Sequence, residues 1–197
     1  LFLEKEVNIQ ENKMGVMPVG KLLLTMSVPM MISMLVQALY NIVDSMFVAK
    51  LSENALTAVS LAFPVQNLMI AVGTGTGVGI NALVSRALGE KKNEYANSAA
   101  NNGIYLAIFS FIGFAVVCGL FAPAFFAVQT DDPQILEYGV DYVRLIGIMS
   151  FDLFIQLCCE KLLQSTGKTV YSMATQLLGA VINIILDPIM IFGLLGF

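Results

Sequence analysis

The chain has 197 residues, of which 57% are hydrophobic and 12% are charged, and its mean hydropathy is +0.80. Soluble domains carry about 25% charged residues, so this composition excludes a soluble globular domain and indicates a lipid environment. The formal net charge of −4 does not provide the basic surface that nucleic-acid binding requires. The absence of histidine from the sequence removes the commonest proton shuttle and metal ligand.

Long apolar segments dominate the chain after a short polar lead. A helix needs about 20 residues to cross a bilayer core of about 30 Å, and each apolar segment is at least that long. We therefore predict an all-α integral membrane protein, a polytopic bundle of transmembrane helices. Residues 1–20 form a predicted cytoplasmic segment, and residues 21–197 form one transmembrane unit. Its predicted spans are about 22–49, 56–88, 96–128, 135–163 and 170–197.

Basic residues predict the orientation of these spans, because lysine and arginine concentrate in the short cytoplasmic loops of membrane proteins. Most of them lie before the first span and in every second loop after it. We therefore expect the N-terminus to be cytoplasmic, and Asp131 and Asp132 to face outward. The basic residues that support this orientation are Lys5, Lys13, Lys21, Arg86, Lys91, Lys92, Lys161 and Lys168.

The first span carries a polar stripe on an otherwise apolar helix. At about 100° per residue, its members fall within about 60° of one another, and Asn41 lies at the edge. A polar stripe at membrane depth must face protein or a water-filled cavity. Pro29 lies on the same side and removes a backbone hydrogen bond, which makes it a candidate hinge. The stripe consists of Ser33, Gln37, Tyr40 and Asp44.

Glycines recur in the second span from Gly73 to Gly79. The run lacks the Lys-Ser/Thr ending of a phosphate-binding loop. The pairs Gly73/Gly77 and Gly75/Gly79 have GxxxG spacing, which lets helices approach closely, so we predict a packing role.

Three cysteines and two further acidic residues of interest lie in the third and fourth spans. We interpret Cys118, Cys158 and Cys159 as small buried hydrophobic residues, not as a disulfide or metal site. Asp152 lies mid-span and is either a further titrating site or the partner of a basic group elsewhere. Glu160 lies beside Lys161 near the cytoplasmic end and is expected to reach the interface.

The fifth span repeats the polar stripe of the first span. Ser172, Gln176, Asn183 and Asp187 share one face, and Pro188 is a second candidate hinge. Asp44 and Asp187 are both predicted to lie in the outer half of the membrane, where a pair of facing carboxylates can bind a cation or a proton. The alternative is that the polar groups only join helices by hydrogen bonds, which accounts for the amides but not for the acids.

Six short stretches of the sequence recur, in order, in a known family of proteins. They are Ser27–Pro29 and Gln37–Asp44 in the first span, Ala58–Pro64 in the second, Ser85–Gly89 at the following turn, Leu163–Lys168 before the fifth span, and Asn183–Pro188 within it. In these stretches the chain resembles the multidrug and toxic compound extrusion (MATE) transporters, and the resemblance runs from about residue 15 to the end of the chain.

This resemblance implies a helical transporter of about twelve spans in two lobes. The chain would supply five of the six spans of the N-terminal lobe, and a C-terminal lobe of the same protein would be its partner. The family likeness implies a cation or proton site at Asp44, Asn183 and Asp187, with Na⁺ held by Asp44 and Asp187 if Na⁺ is the coupling ion. It also implies a cavity lined by Gln37 and Tyr40, to which the stripes add Asn41 and Gln176.

The predicted function is secondary active efflux, in which Na⁺ or H⁺ is exchanged for organic cations or drug-like molecules across the cytoplasmic membrane. We expect no enzymatic activity, no other cofactor and no nucleic-acid partner. A flippase for lipid-linked oligosaccharides, of related architecture, is the alternative, although it would need basic residues in its cavity. A membrane-embedded enzyme or receptor is a more distant alternative, because no nucleophile, metal or histidine cluster is evident.

Overall fold

The computed structural model describes residues 17–51 and 53–191, without the side chains of residues 48–51, 187, 188, 190 and 191. The all-α prediction is confirmed, because the described backbone consists of five long helices joined by short turns. The helices are α1 Val19–Leu51, α2 Glu53–Gly89, α3 Asn93–Ala127, α4 Pro133–Ser165 and α5 Thr169–Ile191. Most of the predicted cytoplasmic lead, residues 1–16, lies outside the described residues.

All five helices are long and apolar enough to cross a membrane. The longest, α2, has 37 residues, and at a rise of 1.5 Å per residue it extends for about 55 Å. Since a bilayer core is only about 30 Å thick, such helices must tilt or project beyond the lipid. The large apolar side chains on their outer faces, such as Phe109 and Leu120, are exposed, as expected for surfaces that contact lipid.

The α2–α3 turn is closed by backbone and ionic bonds. Lys91 adopts a left-handed conformation with φ of 57°, and the Lys92 amide donates to the Ala87 carbonyl at 2.9 Å, as in a Schellman helix end. The carboxylate of Glu90 lies 2.7 Å from Lys92 and 2.9 Å from Arg86. Hydrogen bonds from Lys92 and Arg86 lower the pKa of Glu90 to about 2.

Helix α4 has well-defined signals at both ends. At its start, the Asp132 carboxylate accepts hydrogen bonds from the backbone of Gln134 and Ile135, and Pro133 occupies the first turn. At its end, Gly167 takes a positive φ of 77°, and the Lys168 amide donates to the Leu163 carbonyl at 3.1 Å. These bonds satisfy backbone groups that a helix end otherwise leaves unpaired.

The helices form two groups. Helices α2, α3 and α4 pack extensively against one another, and α1 packs mainly against α5. Contacts of α1 with α2, and of α4 with α5, are fewer. The α1–α5 pair therefore makes few contacts with the α2–α3–α4 unit, and a space remains between the two groups.

Small residues allow the three-helix unit to pack closely. A Cβ placed on Gly73 would lie 2.7 Å from Leu157 of α4, and one on Gly77 would lie 2.8 Å from the Lys161 side chain. Gly75 and Gly79 face open space. Of the two GxxxG pairs, only Gly73/Gly77 packs against a helix within the described residues.

The cysteine prediction is correct for two positions and wrong for the third. Cys118 and Cys158 are buried in the cores between α2, α3 and α4, but Cys159 is exposed. Consecutive helical positions differ by about 100°, so the helix face that buries Cys158 turns Cys159 outward.

Candidate functional site

A polar cavity of about 250 Å³ lies between α1, α4 and α5. Its walls come from the two helix groups, which places it at their junction. The residues that line it are Ser33, Gln37 and Tyr40 of α1, Asp152, Leu153, Gln156, Leu157 and Glu160 of α4, and Gln176, Gly179, Ala180 and Asn183 of α5. None of these lining residues is basic, so the cavity is acidic over the described part of the chain.

Helix α1 contributes the polar stripe anticipated from its periodicity. Gln37 and Tyr40 line the cavity together with Ser33. The Ser33 hydroxyl is buried and donates to the Pro29 carbonyl at 3.0 Å. The missing N–H of Pro29 leaves a different carbonyl, that of Thr25 one turn earlier, without its backbone donor.

Asp44 and Asn41 do not line this cavity. Asp44 is half-buried further along α1, within electrostatic range of Tyr142 of α4. The Tyr142 hydroxyl also accepts a hydrogen bond from Gln66 of α2 at 2.7 Å. Asp44 therefore lies close to a polar contact between α2 and α4, and Asn41 is exposed.

Helix α5 brings Gln176 and Asn183 to the cavity wall. The side-chain oxygen of Gln176 is buried and accepts no hydrogen bond from the described residues. The side chains of Asp187 and Pro188 lie outside the described residues, so the ion site predicted at Asp44, Asn183 and Asp187 stays a prediction.

The cavity wall formed by α4 was underestimated from the sequence. Asp152, Gln156 and Glu160 are spaced four residues apart and lie on one helical face, and all three line the cavity. Glu160 does not extend freely to the interface: its side chain is only 13% exposed, and its carboxylate lies 3.3 Å from the Lys161 ammonium. Four-residue spacing of polar residues within an apolar span is the signal that could have identified this wall.

A bonded network surrounds the Glu160–Lys161 pair. The Gln164 amide donates to Glu160 at 2.7 Å, and Lys161 donates to the Gln164 oxygen at 3.2 Å. Asn81 of α2 donates to the Lys161 carbonyl at 3.2 Å. The pair is thus neutralised locally and anchored to α2.

A second hollow, of about 340 Å³, lies at the α2–α3 turn. Its charged residues, Arg86, Glu90 and Lys92, already bond to one another at the surface. The acidic cavity between α1, α4 and α5 is therefore the better candidate for a functional site, because its polar groups are only partly satisfied by the described residues.

A MatE family model matches residues 29–189, which include every residue that lines the cavity. The chain belongs to the MatE family. Its relatives include the multidrug export protein MepA of Staphylococcus haemolyticus, which is 30% identical over 175 residues, 88% of this chain and 39% of MepA. The FAD transporter of Shewanella oneidensis is 27% identical over 177 residues, 90% of this chain and 39% of that protein.

The MatE chain is also similar in structure to solved MATE transporters. An outward-facing multidrug resistance MATE family transporter of the MOP superfamily aligns with a TM-score of 0.84 and 30% identity, covering 88% of this chain and 39% of that one. The chain thus spans about 39% of the length of the relatives it matches. These relatives are transporters and not enzymes, and the chain is a multi-pass membrane protein.

Proposed function

We propose that the protein is a secondary active efflux transporter that exchanges Na⁺ or H⁺ for organic cations by alternating access. The observation that carries the proposal is the acidic cavity between α1, α4 and α5. Acidic residues at membrane depth are costly and commonly mark ion or substrate pathways. The relatives include multidrug export proteins, which also supports the efflux of drug-like molecules.

In this proposal the coupling ion binds at Asp44, Asn183 and Asp187. Asp44 is half-buried near the polar Gln66–Tyr142 contact, and Asn183 lines the cavity. If the coupling ion is Na⁺, its ligands include Asp44 and Asp187, because hard cations prefer oxygen ligands. If it is H⁺, the same carboxylates are the proton acceptors.

The substrate occupies the cavity beside Gln37, Tyr40 and Gln176; Asn41, which the sequence placed there, lies outside the lining. Neutralising the coupling carboxylates removes the attraction that holds a cationic substrate, so ion binding and substrate binding oppose one another. Bends at Pro29 and Pro188 then shift α1 and α5. The position of Pro29 inside α1 supports a hinge there, because the turn from Thr25 to Pro29 lacks one backbone bond.

The FAD transporter among the relatives motivates a second candidate, the movement of an anionic dinucleotide. An anion, like the pyrophosphate of a lipid-linked substrate, needs basic groups in its binding site. Arg144 is exposed and bonds to the Gly119 carbonyl at 3.4 Å, away from the cavity lining. The acidic lining therefore favours cations over both anionic substrates.

The experiment uses the complete protein in proteoliposomes with an imposed Na⁺ gradient, or separately a pH gradient, and follows a fluorescent organic cation. We expect one gradient to drive cation movement, and Asp44→Asn to abolish it. Asp141→Asn, which removes an exposed acid of α4 outside the cavity lining, serves as the matched charge control and should transport normally.

Two outcomes would contradict these assignments. No movement of organic cations under either gradient would overturn the proposal, and FAD and lipid-linked substrates would then be tested in the same vesicles. Intact coupling in both Asp44→Asn and Asp187→Asn would refute the assigned ion site.

A further inference from the structure

Two adjoining hollows lie on the outer surface of α2 and α3, near the turn that joins these helices. The hollow of about 340 Å³ at the turn and a neighbouring one of about 200 Å³ share Leu83 and Tyr95, so they form one continuous groove. Within the described part of the chain, only residues of α2, α3 and their turn line this groove. The groove is therefore separate from the cavity between α1, α4 and α5.

The groove is about as long as one leaflet of the membrane is thick. On α3 its lining extends from Tyr95 to Leu106, which is about 16 Å at a rise of 1.5 Å per residue. Half of a bilayer core of about 30 Å is about 15 Å. Tyrosine is enriched at the level of the lipid headgroups, so the groove runs from the headgroup level at the turn toward the middle of the bilayer.

The inner part of the groove suits an acyl chain. Leu83 and Leu106 line it and are each about half exposed. Ile80 packs against Gly103, where an added Cβ would lie 2.7 Å from the Ile80 side chain. This close approach of α2 and α3 leaves a shallow apolar channel along their junction. An acyl chain in the channel contacts two helices at once and gains more dispersion energy than on a single helix face.

The outer end of the groove carries an excess of positive charge. Glu90 accepts a hydrogen bond from the Arg86 Nε at 2.9 Å and lies 2.7 Å from the Lys92 ammonium, so it holds both cations in place. The Arg86 side chain is 80% exposed, and no hydrogen bond from its two terminal nitrogens is found among the described residues. Two cations and one carboxylate line this end, which leaves one positive charge unbalanced.

We propose that this groove binds an anionic phospholipid of the leaflet at this end of the bundle. The lipid phosphate bonds to the terminal nitrogens of Arg86 and to Lys92, since guanidinium and ammonium groups are good phosphate ligands. The Ser98 hydroxyl lines the groove at the level below and donates to an ester carbonyl. One acyl chain lies between Leu83 and Leu106. Basic pockets between membrane helices on the cytoplasmic side commonly bind anionic headgroups.

The charge balance at the turn sets the preference among lipids. Phosphatidylglycerol carries one negative charge, which balances the one positive charge in excess. Phosphatidylcholine has the same phosphate, but its quaternary ammonium brings a positive charge beside Arg86 and Lys92 and has no N–H to donate to Glu90. One basic residue near the membrane surface corresponds to a preference of about fivefold for the anionic lipid.

The test is the quenching of tryptophan fluorescence by lipids with brominated acyl chains. The sequence contains no tryptophan, and the complete protein is prepared without any other. Leu106→Trp places the reporter in the groove, whereas Phe109→Trp places it on the exposed face of α3 outside the lining. In mixed bilayers we expect Leu106→Trp to report a preference of about fivefold for phosphatidylglycerol over phosphatidylcholine, and Phe109→Trp to report none.

Charge variants in the Leu106→Trp background test the headgroup site. Arg86→Gln and Lys92→Gln each remove the excess charge and should lower the preference to less than about twofold. Lys168→Gln is the matched control, because it removes one exposed positive charge from the α4–α5 turn, outside the groove, and should keep the full preference.

Three results would overturn the inference. The first is equal preference at the two reporters, which would mean that the groove selects no lipid. The second is a Leu106→Trp reporter that neither brominated lipid quenches, which would mean that protein covers the groove. The third is an equal loss of preference in Arg86→Gln and Lys168→Gln, which would mean that the general surface charge attracts the lipid.

Discussion

The Glu160–Lys161 pair illustrates how individual residues are stabilised in this bundle. Both side chains are 13% exposed, and they lie at the cytoplasmic end of a membrane-spanning helix by the proposed orientation. Removing charges from water is costly, and the cost is offset only where partners and hydrogen bonds are well placed. Gln164, which bonds to both members, provides those bonds.

Removing only one member of this pair should destabilise the protein. Lys161→Met keeps the apolar stem that packs on Gly77 but leaves the Glu160 charge without its cation. We expect the free energy of unfolding to fall by roughly 2 kcal/mol, and the double variant Lys161→Met/Glu160→Gln to recover most of the loss. Thermal unfolding can be followed in a Cys159→Ser background, because Cys159 is already exposed, with a thiol-reactive dye that labels the buried Cys118 and Cys158 as they become exposed. A melting temperature of Lys161→Met equal to that of the wild type would contradict this account.

At the scale of the helices, contact between α2 and α4 depends on small residues at particular positions. Gly73 and Gly77 lie against Phe154, Leu157 and Lys161 of α4, whereas Gly75 and Gly79 meet no neighbouring atom. The four glycines from Gly73 to Gly79 therefore form one pair that packs against α4 and one pair that faces open space.

A comparison of Gly77→Ala with Gly79→Ala tests this division. The new Cβ at Gly77 would lie 2.8 Å from the Lys161 Cγ and 3.5 Å from the Leu157 carbonyl oxygen, so α2 and α4 must separate or the lysine must move. We expect Gly77→Ala to lose about 1–3 kcal/mol of stability. Gly79→Ala should be neutral or gain up to about 1 kcal/mol from helix propensity. Similar melting temperatures for the two variants would show that the glycines are equivalent.

At the scale of the whole molecule, the α1–α5 pair and the α2–α3–α4 unit meet at the cavity. The turns that end α2 and α4 lie at the same end of the bundle, where Ser85 bonds to the Ser165 carbonyl at 3.4 Å. Because successive spans reverse direction, the loop around Asp131 lies at the opposite end. The basic residues at the first end lead us to propose that it is cytoplasmic.

Cysteine labelling of intact cells tests this orientation. In a variant without native cysteines, Asp131→Cys should react with a membrane-impermeant maleimide added outside the cells. Lys168→Cys, at the exposed α4–α5 turn, should react only after permeabilisation, because the reagent cannot cross the bilayer. The reversed pattern would show that the bundle is inverted in the membrane.

Much of the architecture could be predicted from local sequence. The length of the apolar runs predicts membrane helices, because unpaired backbone groups are not tolerated in lipid. The Asp132-Pro133 start and the Gly167 end of α4 are local signals as well, since they depend on a few consecutive residues. Helical periodicity also placed Gln37, Tyr40, Gln176 and Asn183 on inward faces, and all four line the cavity.

The division of roles among the acidic residues could not be predicted in this way. Asp44 and Asp152 are both acids within apolar helices, but only Asp152 lines the cavity between α1, α4 and α5. Periodicity defines which face of a helix is polar, but it does not define which neighbour covers that face or at what height.

The sequence by itself determined that the described part of the chain forms five membrane spans and that these are helical, because both depend on hydropathy. It also determined which faces of the helices are polar, because this depends on the 3.6-residue turn. Only the tertiary structure decided that Glu160 is paired with Lys161 and accepts a hydrogen bond from Gln164. It also decided that Asp152 is left without a partner among the described residues, and that the Gln176 oxygen lacks a donor there. The reason is physical: hydrogen bonds and ion pairs depend on distances of about 3 Å between atoms, and packing between helices sets those distances.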